Sequence, residues 1–383
     1  MSRSRIPFNK PAVVGDEFAY MAQSIASGRI SADGGFTAKC QSILEKDFGA
    51  RKAILTVSCT AALEMAAILS RVGPGDEVIM PAFTFVSTAN AFVLRGARPV
   101  FVDVRPDTMN MDERLVAQAV NARTRVIVPV HYAGVACEMD ALMATAAAHD
   151  LLVVEDAAHA VSGDYKGRRL GTIGDFGTYS FHETKNVTSG EGGALLVNRA
   201  DLVDRAEIVR DKGTNRRQFQ LGQVDKYAWV DIGSSYGMAD ILAAYLYGQL
   251  EKRDEIAAHR AALYERYISR LTPLATRGDL ELPHIPAHCQ SGHHMTYITL
   301  ADRTTRDRLI DHLAAQGIQA VFHYMPLHTS PFGEQFGCRP GMLPVTEDRA
   351  YRLLRLPFFN QMPLESADEV VRHVFDFFGA PLP

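Results

Sequence analysis

Cysteine is scarce in this chain, and what there is does not pair up. Five cysteines occur in 383 residues, at Cys40, Cys59, Cys137, Cys289 and Cys338. The number is odd and no two stand in a CxxC spacing, which argues against a disulfide framework and a zinc site. A reducing cytosol suits them. Excess charge is missing too: 40 Lys plus Arg against 44 Asp plus Glu leave a formal net charge of -4, so no strongly basic face is available for nucleic acid. No apolar run reaches the ~20 residues of a membrane-spanning helix. The longest uncharged stretch, VIMPAFTFVSTANAFVL at 78–94, holds Pro81, Thr84, Ser87, Thr88 and Asn90, and reads as a strand, a loop and a helix start. The N-terminal MSRSRIPFNKPAVVGDEF has basic residues without an apolar core behind them, so it does not read as a secretory signal. Internal repeats, low-complexity tracts and charged tails are also absent.

What is present is an ordinary globular composition, 47% hydrophobic and 22% charged. The length exceeds the ~250–300 residues at which a single core stops growing, so a large domain over 1–250 and a smaller one over 251–383 are expected. From about residue 55 to 200, apolar β-rich runs alternate with helical stretches. The strand-like runs are ARPVFVDV (97–104), RVIVPVHY (125–132), LLVVED (151–156), GTYSFH (177–182) and GALLVN (193–198). TAALEMAAILSRVG (60–73) and EMDALMATAAAHD (138–150) read as helices. Near-continuous apolar strands separated by helices predict an α/β fold around a mostly parallel sheet. After residue 236 the texture changes. Residues 238–271 read as one long helix bridging to an α+β unit that closes with the helix SADEVVRHVFDFFG (366–379).

Ligands of open α/β sheets bind beyond the carboxyl ends of the strands. Asp156 ends LLVVED, and Lys185 follows GTYSFH by a few residues, in SFHETKN (180–186). The two are therefore expected at one sheet edge. VSCTAAL (57–63) runs from a strand end into a helix, whose first turn at Ser58, Cys59 and Thr60 offers free N–H groups and a positive dipole end to an anion. An amine, a carboxylate and an anion-binding helix end together describe a pyridoxal phosphate site. The lysine would form a Schiff base with the aldehyde, the carboxylate would keep the pyridine nitrogen protonated, and the helix end would hold the phosphate. Phe85, in a loop after a predicted strand, could supply a stacking wall.

The sequence resembles the DegT/StrS-type sugar aminotransferases, pyridoxal phosphate enzymes of the aspartate aminotransferase fold. The resemblance spans nearly the whole chain: SADGGFT (31–37), SCTAAL (58–63), PAFTFVSTANA (81–91), VDV (102–104), EDAAHA (155–160), SFHETKN, GEGGAL (190–195) and FHYMPLH (322–328). It implies that Lys185 carries the cofactor and moves the proton, that Asp156 pairs with the pyridinium nitrogen, and that Phe85 and Ala158 face the two sides of the ring. It places His159 beside the ring, Thr60, Ala61 and Ser180 at the phosphate, and His323 and Tyr324 near the active site. Many members form a dimer in which an asparagine of the neighbouring subunit touches the phosphate; the matching stretch IGSSYGM (232–238) has Ser235 there instead. The long SFHETKN motif, with GTNRRQF (213–219) and VDKYAWVDIGSSY (224–236), looks most like the branch that aminates C4 of TDP-4-oxo-6-deoxy-D-glucose with glutamate as donor. The product is TDP-4-amino-4,6-dideoxygalactose, which feeds polysaccharides such as enterobacterial common antigen; a related activity gives the 4-amino-dideoxyglucose epimer.

Other readings stand beside these. Arg210, Lys212, Arg216 and Arg217 are either a solvated turn or a clamp on the nucleotide diphosphate. GEGGAL lacks the Lys-Ser/Thr of a phosphate loop and precedes a strand. The cluster His288, Cys289, His293 and His294 matches no standard metal spacing, so no metal is expected. A sugar dehydratase of the same family would carry histidine in place of Lys185. A catalytically silent regulator would keep the fold without needing Lys185, Asp156 and the phosphate loop together.

Overall fold

The computed structural model describes residues 5–382; the first four residues of the basic N-terminal segment lie outside it. Seven strands form the central sheet: β1 (Lys52–Thr56), β2 (Glu77–Pro81), β3 (Arg98–Val102), β4 (Thr124–Ile127), β5 (Leu152–Asp156), β6 (Phe176–Ser180) and β7 (Gly193–Val197). Their order across the sheet is β1-β7-β6-β5-β4-β2-β3. Every residue of β2, β6 and β7 is buried, as a sheet covered on both faces requires. The mostly parallel sheet predicted from the apolar runs is present. Helices such as α1 (Cys59–Leu69) and α2 (Val86–Val93) provide the crossovers between its parallel strands.

One strand departs from that direction. β7 runs antiparallel to both β1 and β6. A parallel return needs a crossover of a dozen or more residues, usually helical. Residues 181–192 contain no helix, so the chain doubles back. The turn that results carries Lys185.

The long bridging helix is in fact two. α3 (Asp240–Glu251) and α4 (Arg253–Arg277) meet at Lys252, whose φ of -98° and ψ of 10° leave the helical region. The break lets each helix serve a different core. Ala243, Leu246 and Leu250 of α3 join the cluster beneath the central sheet. Leu263, Tyr267 and Leu271 of α4 pack into a separate cluster with α5 (Arg303–Ala315) and α6 (Leu364–Phe377). In that second cluster lies a short antiparallel pair, β8 (Tyr297–Thr299) with β9 (Leu353–Arg355). Among the described residues no helix is long and apolar enough to cross a membrane.

Candidate active site

The segment that follows Lys185 is fixed by groups from the C-terminal half of the chain. Asn186 donates from Nδ2 to the Gly292 carbonyl at 2.6 Å, its Oδ1 meets His294 Nδ1 at 2.9 Å, and its own carbonyl accepts from Asn360 Nδ2 at 2.7 Å. Asn360 is held in turn by the buried guanidinium of Arg260, 2.7 Å from its Oδ1. Lys185 itself is half-buried, in the wall of a cavity of about 520 Å³. Burial pulls its amine down to about 8, although nearby Asp156 and the Cys59 thiol act the other way. An ammonium must lose a proton before it can attack an aldehyde. At pH 7.5 roughly a quarter of such amines are free base, against about one in a thousand for an ordinary lysine. The rate of reconstitution with cofactor should therefore rise with pH and level off above about 8; a rise continuing past pH 10 in a stopped-flow titration would contradict this.

Asp156 ends β5 on the same sheet edge and is 5% exposed. Its Oδ2 accepts from Thr88 Oγ1 at 2.7 Å, and Thr88 is backed by Thr84 at 2.7 Å. Its Oδ1 accepts from the Ala158 amide at 3.2 Å. No lysine or arginine of the described residues forms a salt bridge with it. A buried carboxylate held by neutral donors alone is suited to a positive partner supplied by a ligand.

The first turn of α1 forms the third wall. Ser58 is extended and its Oγ accepts from the Ala61 amide at 3.1 Å. Ala61 is thereby taken up in the cap, which differs from the phosphate contact expected of it; the amides of Cys59 and Thr60 are the donors left in that turn. Thr60 Oγ1 lies 2.8 Å from Ser87 Oγ. This turn lies so close to the start of β7 that a Cβ on Gly193 would sit 2.4 Å from the Cys59 nitrogen and 2.6 Å from the Ser58 carbonyl oxygen. Gly193→Ala should push the anion-binding turn out of place and weaken cofactor affinity about tenfold or more, since overpacking costs ~1–3 kcal/mol. Equilibrium dialysis measures this, and unchanged affinity would show that the turn does not hold the phosphate.

Ser180, Ala158, His159, Phe85, His323 and Tyr324 also line the cavity. Phe85 is 55% exposed, so one of its faces is open to the cavity and not lost in the core. His159 stacks on His294 with ring centroids 4.2 Å apart, and the Tyr324 hydroxyl lies 3.3 Å from His159 Nε2. His323 Nδ1 meets the Tyr132 hydroxyl at 2.7 Å. Burial drives all three imidazoles well below their ordinary range, which keeps them neutral near pH 7. His159 Nδ1 is buried with no partner among the described residues.

The remaining expected residues lie elsewhere on the chain. Ser235, Arg210, Lys212 and Arg216 line a second cavity of about 610 Å³. Arg210 is no free clamp: it is 7% exposed, and its guanidinium is held by Asp33 and faces Glu207. Arg217 is likewise paired with Glu207. Sequence reading missed Thr88, His294, Phe8 and Arg355 as cavity residues. Thr88 falls one helical turn after Thr84 in a stretch already singled out, which was the only local signal. His294 and Arg355 come from the C-terminal half; His294 stood out only as one of the His/Cys cluster weighed as a metal site, and nothing in its neighbourhood marks Arg355.

Comparison with known proteins agrees with this geometry. The model of the DegT/DnrJ/EryC1/StrS aminotransferase family matches residues 11–375. The spore coat polysaccharide biosynthesis protein SpsC of Bacillus subtilis is 32% identical, over 97% of this chain and 96% of its own. The aminotransferase TlmJ of Streptoalloteichus hindustanus superposes with a TM-score of 0.89 at 29% identity, covering 98% of this chain and 99% of its own. Spr1654 of Streptococcus pneumoniae, solved in a PLP form, does so at 0.89 and 28%, covering 97% and 98%. The cavity suits that cofactor: a lysine with a lowered pKa, a buried carboxylate without a cation, a helix end with unpaired amides and an orphaned imidazole nitrogen all face one space. The chain thus belongs to the DegT/DnrJ/EryC1/StrS family and is a pyridoxal-phosphate-dependent aminotransferase acting on sugars.

Proposed function

We propose that this enzyme moves the amino group of L-glutamate to C4 of TDP-4-oxo-6-deoxy-D-glucose, giving TDP-4-amino-4,6-dideoxy-D-galactose for a surface polysaccharide such as enterobacterial common antigen. The observation that carries the chemistry is the convergence of Lys185, Asp156 and the first turn of α1 on one cavity. The sugar is supported by the SFHETKN branch motif and by a relative named for polysaccharide biosynthesis. Bound pyridoxal phosphate supplies an aldehyde for the amine and a conjugated ring that takes up the electron pair of the reacting carbon.

In this reading the chain's own residues do the rest. Lys185 Nζ holds the cofactor at rest, then takes the proton from the donor carbon and returns one to the acceptor carbon. Asp156, fixed at both oxygens, keeps a proton on the ring nitrogen. Ser180, Thr60 and the first-turn amides of α1 bind the phosphate. Phe85 and Ala158 bound the ring, with neutral His159 at its edge. Five cysteines, none in a disulfide, support action in the cytosol.

A homodimer with shared active sites goes with this function. Trp229 is 83% exposed, and Leu221, Tyr227 and Val230 of the same stretch of chain are exposed as well, apolar surface that a second copy would cover. The cavity lined by Ser235, Lys212 and Arg216 borders that surface in sequence, and a partner would bring those groups to the other subunit's substrate. Holoenzyme given TDP-4-oxo-6-deoxyglucose and glutamate should yield a product whose small H3–H4 coupling in proton NMR marks an axial C4 nitrogen. A large coupling would mean the glucose epimer, and no amination would end the proposal for this sugar.

A further inference from the structure

We propose that Asn186 is a positioning residue: it holds His294 as the Nδ1–H tautomer, so that a bare Nε2 stands in the cavity as hydrogen-bond acceptor for the Lys185 ammonium. This rests on the reading of Lys185 as the group that holds the cofactor and moves the proton. Asn186 follows Lys185 directly but is not among the residues lining the cavity. Its side chain acts on the far side of the turn, where it meets Gly292 and His294.

Groups with only one hydrogen-bonding role fix every orientation in this network. The Arg260 guanidinium can only donate, so Asn360 gives it Oδ1 at 2.7 Å and turns Nδ2 to the Asn186 carbonyl, also at 2.7 Å. The Gly292 carbonyl can only accept. Asn186 therefore meets it with Nδ2, at 2.6 Å, and leaves Oδ1 to His294. That oxygen has no proton to give, so the proton between them belongs to His294 Nδ1, 2.9 Å away. Burial, with the cations Lys185, Arg260 and Arg355 and the neighbouring His159, holds this imidazole unprotonated. A neutral ring with its proton on Nδ1 carries a lone pair on Nε2. His294 lines the cavity, and its Nε2 makes no hydrogen bond to the described residues. The ring is not free to turn: Arg260 also donates to the carbonyls of His293 and His294, at 2.9 and 2.5 Å, and His294 stacks on His159 with 15° between the planes.

A buried arginine, two buried asparagines and a buried histidine are costly to bring together, and no carboxylate of the described residues forms a salt bridge with Arg260. Apolar packing would join the turn to the C-terminal half at less cost. What only a polar network can do is fix a proton on a chosen nitrogen. The beneficiary follows from spacing. Asn186 binds His294 with its side chain and is one peptide bond from Lys185, and Lys185 and His294 line the same cavity. When Lys185 takes a proton it becomes an ammonium where burial disfavours one. A neutral acceptor supports that ammonium without fixing it in the charged form, as a second carboxylate would. The other groups that face Lys185 are Asp156, the Cys59 thiol, Arg355, His159 and His323. Asp156 is taken by Thr88 and Ala158, Arg355 can only donate, and His323 Nδ1 meets the Tyr132 hydroxyl.

The test uses wild type, Asn186→Leu and His294→Phe. Nitrogen-15 NMR of histidine-labelled protein, with His294 identified by its loss in His294→Phe, should show Nδ1–H and a bare Nε2 in wild type near neutral pH, and mixed tautomers in Asn186→Leu. The pH dependence of cofactor uptake by the apoenzyme reads the Lys185 ammonium. Its midpoint, about 8 in wild type, should fall by about one pH unit in His294→Phe and by less in Asn186→Leu, because the charged form loses its acceptor. Single-turnover reaction with glutamate should slow about tenfold in kcat for either variant with KM within about threefold, and the double variant should be no slower than His294→Phe, since Asn186 acts through the imidazole. Melting temperatures exclude misfolding; if Asn186→Leu does not fold, the wild-type tautomer and the His294→Phe midpoint decide. An Nε2–H tautomer in wild type, an unmoved midpoint in His294→Phe, or losses that add in the double variant would overturn the proposal. Wild-type apoenzyme that takes up the cofactor elsewhere than on Lys185 would refute the reading of Lys185 itself, and this proposal with it.

Discussion

Replacing Lys185 by alanine is expected to lower turnover by about 10⁴-fold or more, because it removes both the covalent anchor and the base that carries the proton. The loss should not come from misfolding. The turn that presents Lys185 is held through its backbone and through Asn186, with bonds to Gly292, His294 and Asn360 that do not involve the lysine side chain. Burial already disfavours the ammonium, so its removal should leave the melting temperature equal or higher. Lys185→Arg sharpens the test: it keeps a cation in the cavity but cannot attack an aldehyde near neutral pH, and should be as inactive as alanine. Single-turnover kinetics with glutamate, beside thermal melts, checks both. An arginine or alanine variant within tenfold of wild type would remove Lys185 from the mechanism.

The second large effect is at Asp156. Asp156→Asn keeps the shape and an oxygen for the Thr88 hydroxyl to donate to, now at 2.7 Å, but takes away the charge. Breaking a buried charge pair from one side costs ~3–5 kcal/mol, so turnover should fall by about 10²–10³-fold or more while the fold is retained. Asp156→Ala should do more. It would leave Thr88 Oγ1, fully buried, with Thr84 as its remaining partner, and would cost stability of about 1–3 kcal/mol in addition. If Asp156→Asn turned over normally, the carboxylate would be a structural cap of the Ala158 turn and nothing more.

How much of this was legible in the chain depends on how local the cause is. The sheet was readable because its strands are buried on both faces, and runs such as LLVVED and GALLVN show that directly. Strand direction was not: that β7 turns back depends on the absence of a helix in residues 181–192, a fact about spacing and not about any one residue. The break at Lys252 was hidden for a related reason. Both halves of 238–271 are good helix formers, and only the presence of two separate cores forces them apart.

The site followed the same rule. Lys185 and Asp156 could be placed because strand ends at one sheet edge converge and the motifs around them are long. The helix start at Ser58, Cys59 and Thr60 was visible in VSCTAAL, but not that Ser58 would cap it and occupy the Ala61 amide. The basic stretch at 210–217 looked like a phosphate clamp because its acidic partners lie outside it: Asp33 is far away in the sequence, and Glu207 stands one helical turn before Arg210. Arg355 sat in the unremarkable run RLLRLP. Only the folded chain brings it to the cavity wall.

The central claim is that the nitrogen at position 185 is where this protein holds its cofactor. Reduction of the holoenzyme with borohydride, followed by proteolysis and mass mapping of the peptides, reads that position directly. The expected result is a single reduced adduct, on the peptide containing Lys185, and none in Lys185→Arg. An adduct on another lysine, or wild-type protein that takes up pyridoxal phosphate without forming any, would contradict the account.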